Sequence, residues 1–157
     1  MVDIKDRVHI AVVGAGDCSH EGAARAYDVG RELALRSAVL FCGGLGGVME
    51  AAAKGAREAG GLTVGFLPGF EFREANPYID IAIPTGLSHG RNVLVVRAAM
   101  AIIAVEGAYG TLSEIALALA LGKPVIGLDT WDIGPEVIKA QTAQEAVEKA
   151  LRMIKKK

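Results

Sequence analysis

Residues 106–114 read Glu106-Gly107-Ala108-Tyr109-Gly110-Thr111-Leu112-Ser113-Glu114 and hold the densest set of chemically useful groups in the chain. An apolar run, residues 100–105, precedes them, and a helix-like apolar run, residues 115–121, follows. The pattern predicts a glycine-rich turn from a buried strand into a helix, with the Glu114 carboxylate in the first helical turn. Glycine lets the backbone turn tightly and come close to a ligand. The N–H groups that open a helix point at whatever fills the turn and favour an anion. A second stretch of the same kind, Gly43-Gly44-Leu45-Gly46-Gly47, lies earlier. The two are expected to build one phosphate-binding crevice.

The other candidate groups divide by context. Thr111-Leu112-Ser113-Glu114 also has the form of a capping box, in which Glu114 serves only its own helix; that alternative stays open. Arg91, in His89-Gly90-Arg91-Asn92, falls at the start of a predicted helix, where a cation opposes the helix dipole, so its placement points to function. His89 is either an exposed loop residue or a ligand contact, and His9 and His20 lack a motif. Gly14-Ala15-Gly16 departs from the dinucleotide fingerprint. Ser19 stands in place of the third glycine, and Cys42-Gly43 in place of the acidic residue that would hold a ribose. An NAD or FAD site is therefore not expected, although Gly14 and Gly16 can still line the pocket. No glycine loop ends in Gly-Lys-Ser or Gly-Lys-Thr, which excludes a Walker-type ATPase. No His, Cys or acidic spacing points to a metal centre. Cys18 and Cys42 are expected as free thiols. Lys54 and Lys123 lack the setting of a buried Schiff-base lysine.

These groups need elements to position them. Residues 8–13, 38–42, 62–67, 79–83, 100–105 and 124–128 are short apolar runs rich in β-branched residues, each closed by Gly, Pro or a polar turn, and read as buried strands. Helical patterns alternate with them. Ser19 is expected to cap the first helix, with Ala23, Ala26, Tyr27, Gly30, Leu33 and Ala34 inward. A second helix runs through Val48, Met49, Ala52, Ala53 and Ala56 to the stop at Gly60-Gly61. Its Gly55 costs roughly 1 kcal/mol against Ala, so a close approach of a helix or ligand is expected there. Residues 70–78 read as a loop or short helix, and the segment around Trp131, Gly134 and Pro135 as irregular. Thr142-Ala143-Gln144-Glu145 is a capping box opening the last helix, with Ala146, Val147, Ala150, Leu151 and Ile154 inward. Apolar strands alternating with helices mean an α/β fold: a mainly parallel sheet of six or seven strands with helices on both faces. Ligands in such sheets bind beyond the carboxyl ends of the strands, where every one of these glycine clusters falls.

Bulk composition narrows the function. A chain of 157 residues is long enough for one domain, 1–157, with a full core. Hydrophobic residues make up 52% and aromatics only 5%, so Ala, Val, Leu and Ile must fill that core. A net charge of −1 gives no electrostatic case for nucleic acid or an anionic membrane surface. The basic end Lys155-Lys156-Lys157 suits the dipole of a last helical turn. Residues 1–7 are mixed-charge, unlike a signal peptide, and no apolar run approaches the roughly 20 residues of a membrane span. A cytoplasmic protein is the expectation.

The two glycine stretches resemble the Rossmann-like superfamily that includes the "lonely guy" cytokinin-activating phosphoribohydrolases, the molybdenum-cofactor carrier proteins and many proteins labelled possible lysine decarboxylases. Its signatures run approximately GGGxxGxMxxxxxGAxxxGG and PGGxGTxxE. The first is matched by Gly43, Gly44, Gly46, Gly47, Met49, Gly55, Ala56, Gly60 and Gly61, the second by Gly107, Gly110, Thr111 and Glu114. The resemblance implies a three-layer Rossmann-like fold and a site in which Arg91 and Glu114 are the catalytic pair of a nucleoside 5′-monophosphate phosphoribohydrolase. It also implies a ligand phosphate held at Gly107, Ala108, Tyr109, Gly110 and Thr111, with Gly14, Gly16, Gly43, Gly44, Gly46, Gly47 and Asn92 around it. Three departures stand out: Glu106 replaces the proline, Ala108 the middle glycine, and Asn92 the usual lysine of the hydrolases. The Arg91-Asn92 pair and the altered turn resemble the molybdenum-cofactor-carrier branch. A phosphorylated, nucleotide-like ligand, molybdenum cofactor or a nucleotide, is the implied small-molecule partner, and a homodimer or homotetramer the implied assembly. Hydrolysis of an N-glycosidic bond is the alternative, a structural or interaction protein with a vestigial site the third option, and lysine decarboxylation is not expected.

Overall fold

The computed structural model describes residues 3–155. Met1 and Val2 of the amino-terminal stretch, and Lys156 and Lys157 of the basic end, lie outside the described residues. Among the described residues are seven strands and five α-helices: β1 His9–Gly14, α1 His20–Leu35, β2 Val39–Cys42, α2 Val48–Glu58, β3 Thr63–Leu67, β4 Ile81–Pro84, α3 Asn92–Ala98, β5 Ala101–Val105, α4 Tyr109–Ala120, β6 Val125–Leu128, β7 Val137–Lys139 and α5 Ala143–Lys155. The strands form one sheet in the order β4-β3-β2-β1-β5-β6-β7, and all six pairings are parallel.

Alternation along the strands divides the core. Ile10, Val12, Leu40, Ile103, Val105 and Leu128 face α1, α2 and α5 on one side. Ala11, Val13, Ile102, Ala104 and Val125 face α3 and α4 on the other. β1, β5 and β6 are apolar on both faces because both are covered, which is the signature of a parallel sheet in a three-layer α/β fold. The sheet order reverses direction between β1 and β5, which pair from Ile10↔Ala101 to Gly14↔Val105. That reversal leaves a crevice at the carboxyl ends of these two strands.

Two glycines set the helix layer. A Cβ at Gly30 of α1 would overlap the Ala52 carbonyl oxygen of α2, and one at Gly55 would overlap the Tyr27 carbonyl oxygen of α1. The close approach expected at Gly55 is therefore that of a helix, and the apolar side of α2 is used inside the chain. On α1, Gly22, Ala26, Val29, Gly30 and Leu33 are the buried residues, while Ala23, Tyr27 and Ala34 are only half-buried. The Ser19 cap forms as expected, with Oγ accepting from the Gly22 N–H at 2.9 Å. At α5, Thr142 Oγ accepts from the Glu145 N–H at 3.1 Å, and the Glu145 carboxylate accepts from the Gln141 N–H at 2.8 Å.

The structure corrects two local expectations. The segment after Trp131 contains a seventh strand, because residues 137–139 extend alongside β6, with Val125 opposite Val137. Residues 70–78, expected as a loop or short helix, hold a single short 3₁₀ turn, Phe72–Glu74. The helix of the signature stretch opens at Tyr109, with Ala108 as its N-cap, earlier than a start that puts Glu114 in the first helical turn. Thr111 then lies inside the first turn and Glu114 one turn deeper, so the capping-box reading of Thr111 and Glu114 fails: Thr111 already has helical backbone, and an N-cap does not. No helix among the described residues is long and apolar enough to cross a membrane.

Candidate functional site

Above the reversal of the sheet lies a crevice of about 370 Å³. Its wall includes Gly14 and Gly16 after β1, Gly43 after β2, Pro68 after β3, Arg91 and Asn92 at the start of α3, and Ala108, Gly110, Thr111 and Glu114 of the α4 turn. These are loops from both halves of the sheet. They meet because every parallel strand ends on the same edge. The size lies in the range of small-molecule sites.

The α4 turn offers its backbone. The first intrahelical bond from this end is Leu112 N–H to the Ala108 carbonyl at 3.0 Å. The N–H groups of Tyr109, Gly110 and Thr111 therefore have no partner within the helix. Gly107, at φ +126°, packs its bare α-carbon against the Thr111 side chain, which a Cβ would overlap. Thr111 is buried and is held at the crevice wall by that contact. Trp131 braces the turn from outside: its Nε1–H donates to the Ala108 carbonyl at 3.1 Å and its ring stacks on Tyr109, with centroids 6.0 Å apart.

Arg91 is buried and ties three segments together. Its Nε donates to the Phe66 carbonyl at 2.8 Å, its Nη2 to the Gly43 carbonyl at 3.4 Å, and its Nη1 to Asn92 Oδ1. The guanidinium is thus a brace between the ends of β2 and β3 and the start of α3, and its charge remains in the crevice wall. Burial pushes its pKa down, partly offset by attraction to Glu114. Asn92 is also buried, and its Nδ2 donates to Ser113 Oγ at 3.1 Å, linking α3 to α4.

Glu114 is strongly perturbed. Its side chain is buried against the crevice, and no hydrogen bond satisfies its carboxyl among the described residues. Burial pushes it up to about 7, and the positive charge of Arg91 pulls it back only in part. The carboxyl is poised to exchange a proton near neutral pH, the range that suits general acid–base chemistry. Cys42, at the end of β2, is fully buried and pushed up to about 12, so it stays a thiol.

Of the residues expected from sequence, Gly14, Gly16, Gly43, Arg91, Asn92, Ala108, Gly110, Thr111 and Glu114 converge on this crevice. Gly44, Gly46, Gly47, Gly107 and Tyr109 fall outside its wall. Gly44 packs on Leu67, and its carbonyl accepts from the Asn76 N–H at 2.9 Å. Gly47, at φ +64°, lies against the Ala15 carbonyl, which accepts from the Val48 N–H at 3.0 Å. The start of α2 is therefore partly closed by the chain itself. Tyr109 is exposed and faces Trp131. Leu45, Met49, Pro68, Ser88 and His89 also line the crevice, and sequence reasoning does not single them out as binding residues. Met49 is visible there only as a match to the first signature, and His89 only as one of two readings. Lys123 Nζ donates to the Val96, Arg97 and Ala99 carbonyls that end α3, and Lys54 lies over the Tyr78 ring.

A second hollow of about 450 Å³ lies over β6 and β7, between Arg25, Trp131, Lys139 and Gln141. Its cations are already matched, Arg25 with Asp129 at 3.7 Å and Lys139 with Asp132 at 2.9 Å. The smaller crevice holds the buried and perturbed groups, which makes it the candidate site.

A model of the SLOG cluster4 family matches residues 7–156. An uncharacterized protein of Archaeoglobus fulgidus is 46% identical over 144 residues, covering 92% of each chain. Among solved structures, the molybdenum cofactor binding protein of the phototrophic bacterium Rippkaea orientalis has a TM-score of 0.89 at 36% identity, covering 94% of this chain and 98% of its own. The molybdenum cofactor carrier protein of Chlamydomonas reinhardtii has a TM-score of 0.86 at 32% identity, covering 96% and 100%. The DNA processing protein A of Streptococcus pneumoniae, at 18% identity and a TM-score of 0.73, shares the fold.

Proposed function

The chain belongs to the SLOG cluster4 family, and from that premise we propose that its crevice binds a phosphorylated, nucleotide-like molecule, with molybdenum cofactor as cargo. The observation that carries this reading is the start of α4, where Gly110 and Thr111, whose helix-opening N–H groups have no partner within the helix, border a crevice of ligand size. The likeness to two proteins that bind or carry molybdenum cofactor supports the choice of ligand. In this reading the phosphate sits on the backbone of Gly110 and Thr111, and Asn92 offers amide chemistry to a heterocycle beside it. Gly14, Gly16, Leu45 and Met49 form the wall against which a planar ring packs. The chain's contribution is to the organic end of the cargo. Cys42 is a protonated thiol and supplies no thiolate to a metal.

The test is titration of the purified protein with molybdenum cofactor and with adenosine 5′-monophosphate, followed by calorimetry. Saturable binding of the cofactor is expected. Thr111→Val and Asn92→Ala are expected to weaken it roughly tenfold or more each, as befits loss of a hydrogen bond to a charged or polar ligand. Binding unaffected by either substitution sinks the reading.

One observation favours a second reading. Glu114, buried without a hydrogen bond and raised to about 7, has the environment of a working carboxyl. A nucleoside 5′-monophosphate phosphoribohydrolase would use it to steady positive charge developing on the ribose, or to orient the attacking water. Release of free base and ribose 5-phosphate from a panel of nucleoside monophosphates, lost in Glu114→Gln, would establish turnover. Absence of release alongside cofactor binding leaves the carrier function alone.

A further inference from the structure

Glu114 keeps only 7% of its surface exposed, lines the crevice, and has no hydrogen-bond partner among the described residues. A buried polar group without a partner carries a desolvation cost that a ligand can relieve. Its place on α4 decides which part of a ligand it meets. Helical side chains lean towards the start of their helix, onto the residues three and four positions earlier. For Glu114 those residues are Thr111 and Gly110, which also line the crevice and whose N–H groups have no partner within the helix. The carboxyl therefore lies beside the place where an anion would sit on the helix start.

The groups around the carboxyl leave it without a bond. Arg91, at the start of α3, directs its donors to the Phe66 and Gly43 carbonyls and to Asn92 Oδ1, so its charge acts on Glu114 only through space. Cys42, at the end of β2, is pushed up to about 12 and stays a thiol. His89, just ahead of α3, lines the same wall. The segments after β1 and β3 bring Gly14, Ala15, Gly16 and Pro68, and α2 brings Met49, none of which titrates. An ionised Glu114 would repel a phosphate on the α4 start, whereas a protonated one donates a charge-assisted hydrogen bond to it.

We propose that Glu114 contacts the ligand's phosphate as an acid: its carboxyl O–H donates to a phosphate oxygen, and where the carboxyl starts ionised, binding draws one proton from solvent onto Glu114. The proposal rests on the reading of the α4 start as the phosphate site. The proton comes from the buffer, forms the carboxyl O–H bond, and leaves the phosphate a dianion. The sign follows from the two ionisations. The free carboxyl ionises at about 7, and a phosphate monoester completes its second ionisation around pH 6. Above about pH 7 the phosphate no longer changes charge while Glu114 does. With one proton taken up per ligand, affinity falls towards a limit of about tenfold for each further pH unit.

The test is calorimetry at pH 7, 8 and 9, in two buffers of different ionisation enthalpy. The probes are molybdenum cofactor and ribose 5-phosphate, which carries a phosphate without a glycosidic bond. Expected in the wild type is a loss of about tenfold in affinity for both probes from pH 8 to 9, with uptake of about one proton per ligand at pH 9. Glu114→Gln keeps the size and a neutral donor, and is expected to lose both the slope and the uptake; His89→Gln is expected to retain them. Wild-type binding that is flat from pH 8 to 9 without proton uptake overturns the proposal and leaves the α4 reading in place. A slope that survives Glu114→Gln, or vanishes in His89→Gln, overturns it as well. Binding of neither probe at pH 7 overturns the α4 reading and the proposal with it.

Discussion

A carboxyl buried without a hydrogen bond holds its proton more tightly in the folded chain than in the unfolded one, and Glu114 is such a group. The sign of the consequence follows from linkage. An unfolded glutamate releases its proton near pH 4.5, whereas folded Glu114 does so at about 7. The folded state therefore binds the proton more strongly between those values. The stability it contributes is full below about 4.5 and lost as pH rises through 7. Above pH 7 the ionised group costs the fold on the order of 3 kcal/mol, because each tenfold difference in proton affinity between the two states is worth about 1.4 kcal/mol. Glu114→Gln is expected to match the wild type in denaturant stability at pH 4 and to exceed it at pH 8. Equal stability of the two proteins at pH 8 would mean that the carboxyl is solvated rather than buried. Not all of this is visible in the sequence. Residue type and spacing single out Glu114 and Arg91, but a capping box and a carboxyl buried a turn deeper in the helix share the pattern Thr-x-x-Glu. Only the true helix start, at Tyr109, separates them. Leu45, Met49 and Pro68 escape as wall residues because an apolar side chain in a loop carries no signal of what it faces.

At the scale of elements, the crossing of α1 and α2 rests on Gly30 and Gly55, each lying on a backbone carbonyl of the other helix. Ala is the better helix former by roughly 1 kcal/mol, so an isolated helix would gain from either substitution. In the folded chain the new methyl meets backbone, which has no rotamer to escape into. Overpacking of this kind costs about 1–3 kcal/mol or more, and outweighs the propensity gain. Gly30→Ala and Gly55→Ala are each expected to lower the unfolding midpoint in thermal melts; a rise would show that the helices can move apart freely. Gly55 is legible as a close approach because a glycine in mid-helix has a cost that something must offset. What approaches it is not legible, since helix partners are set by the sheet order. The strands are legible for the opposite reason: six of them are apolar runs closed by breakers. β7 is not, because its three residues follow Trp131, Gly134 and Pro135 without a periodicity of their own and extend only by pairing with β6.

For the whole molecule, the position of the crevice decides how binding couples to stability. Its wall is contributed by segments after β1, β2 and β3, by the start of α3 and by the α4 turn, so residues from 13 to 114 must be folded together before it exists. The unfolded chain has no equivalent, and ligand bound only to the folded state stabilises it by RT ln(1 + [L]/Kd), about 2.7 kcal/mol at a hundredfold excess over Kd. For a domain of this length, each kcal/mol raises the unfolding midpoint by about 2–4 °C. A phosphate-bearing ligand at that excess is thus expected to raise it by about 5–10 °C, and to keep raising it with the logarithm of concentration beyond saturation. The same titration in Thr111→Val is expected to shift along the concentration axis by the loss in affinity, with the same slope. A midpoint that stays fixed while calorimetry shows saturation would require equal affinity for the unfolded chain. A site drawn from five separate segments at one edge of a parallel sheet is incompatible with that, and the ligand would then be binding elsewhere.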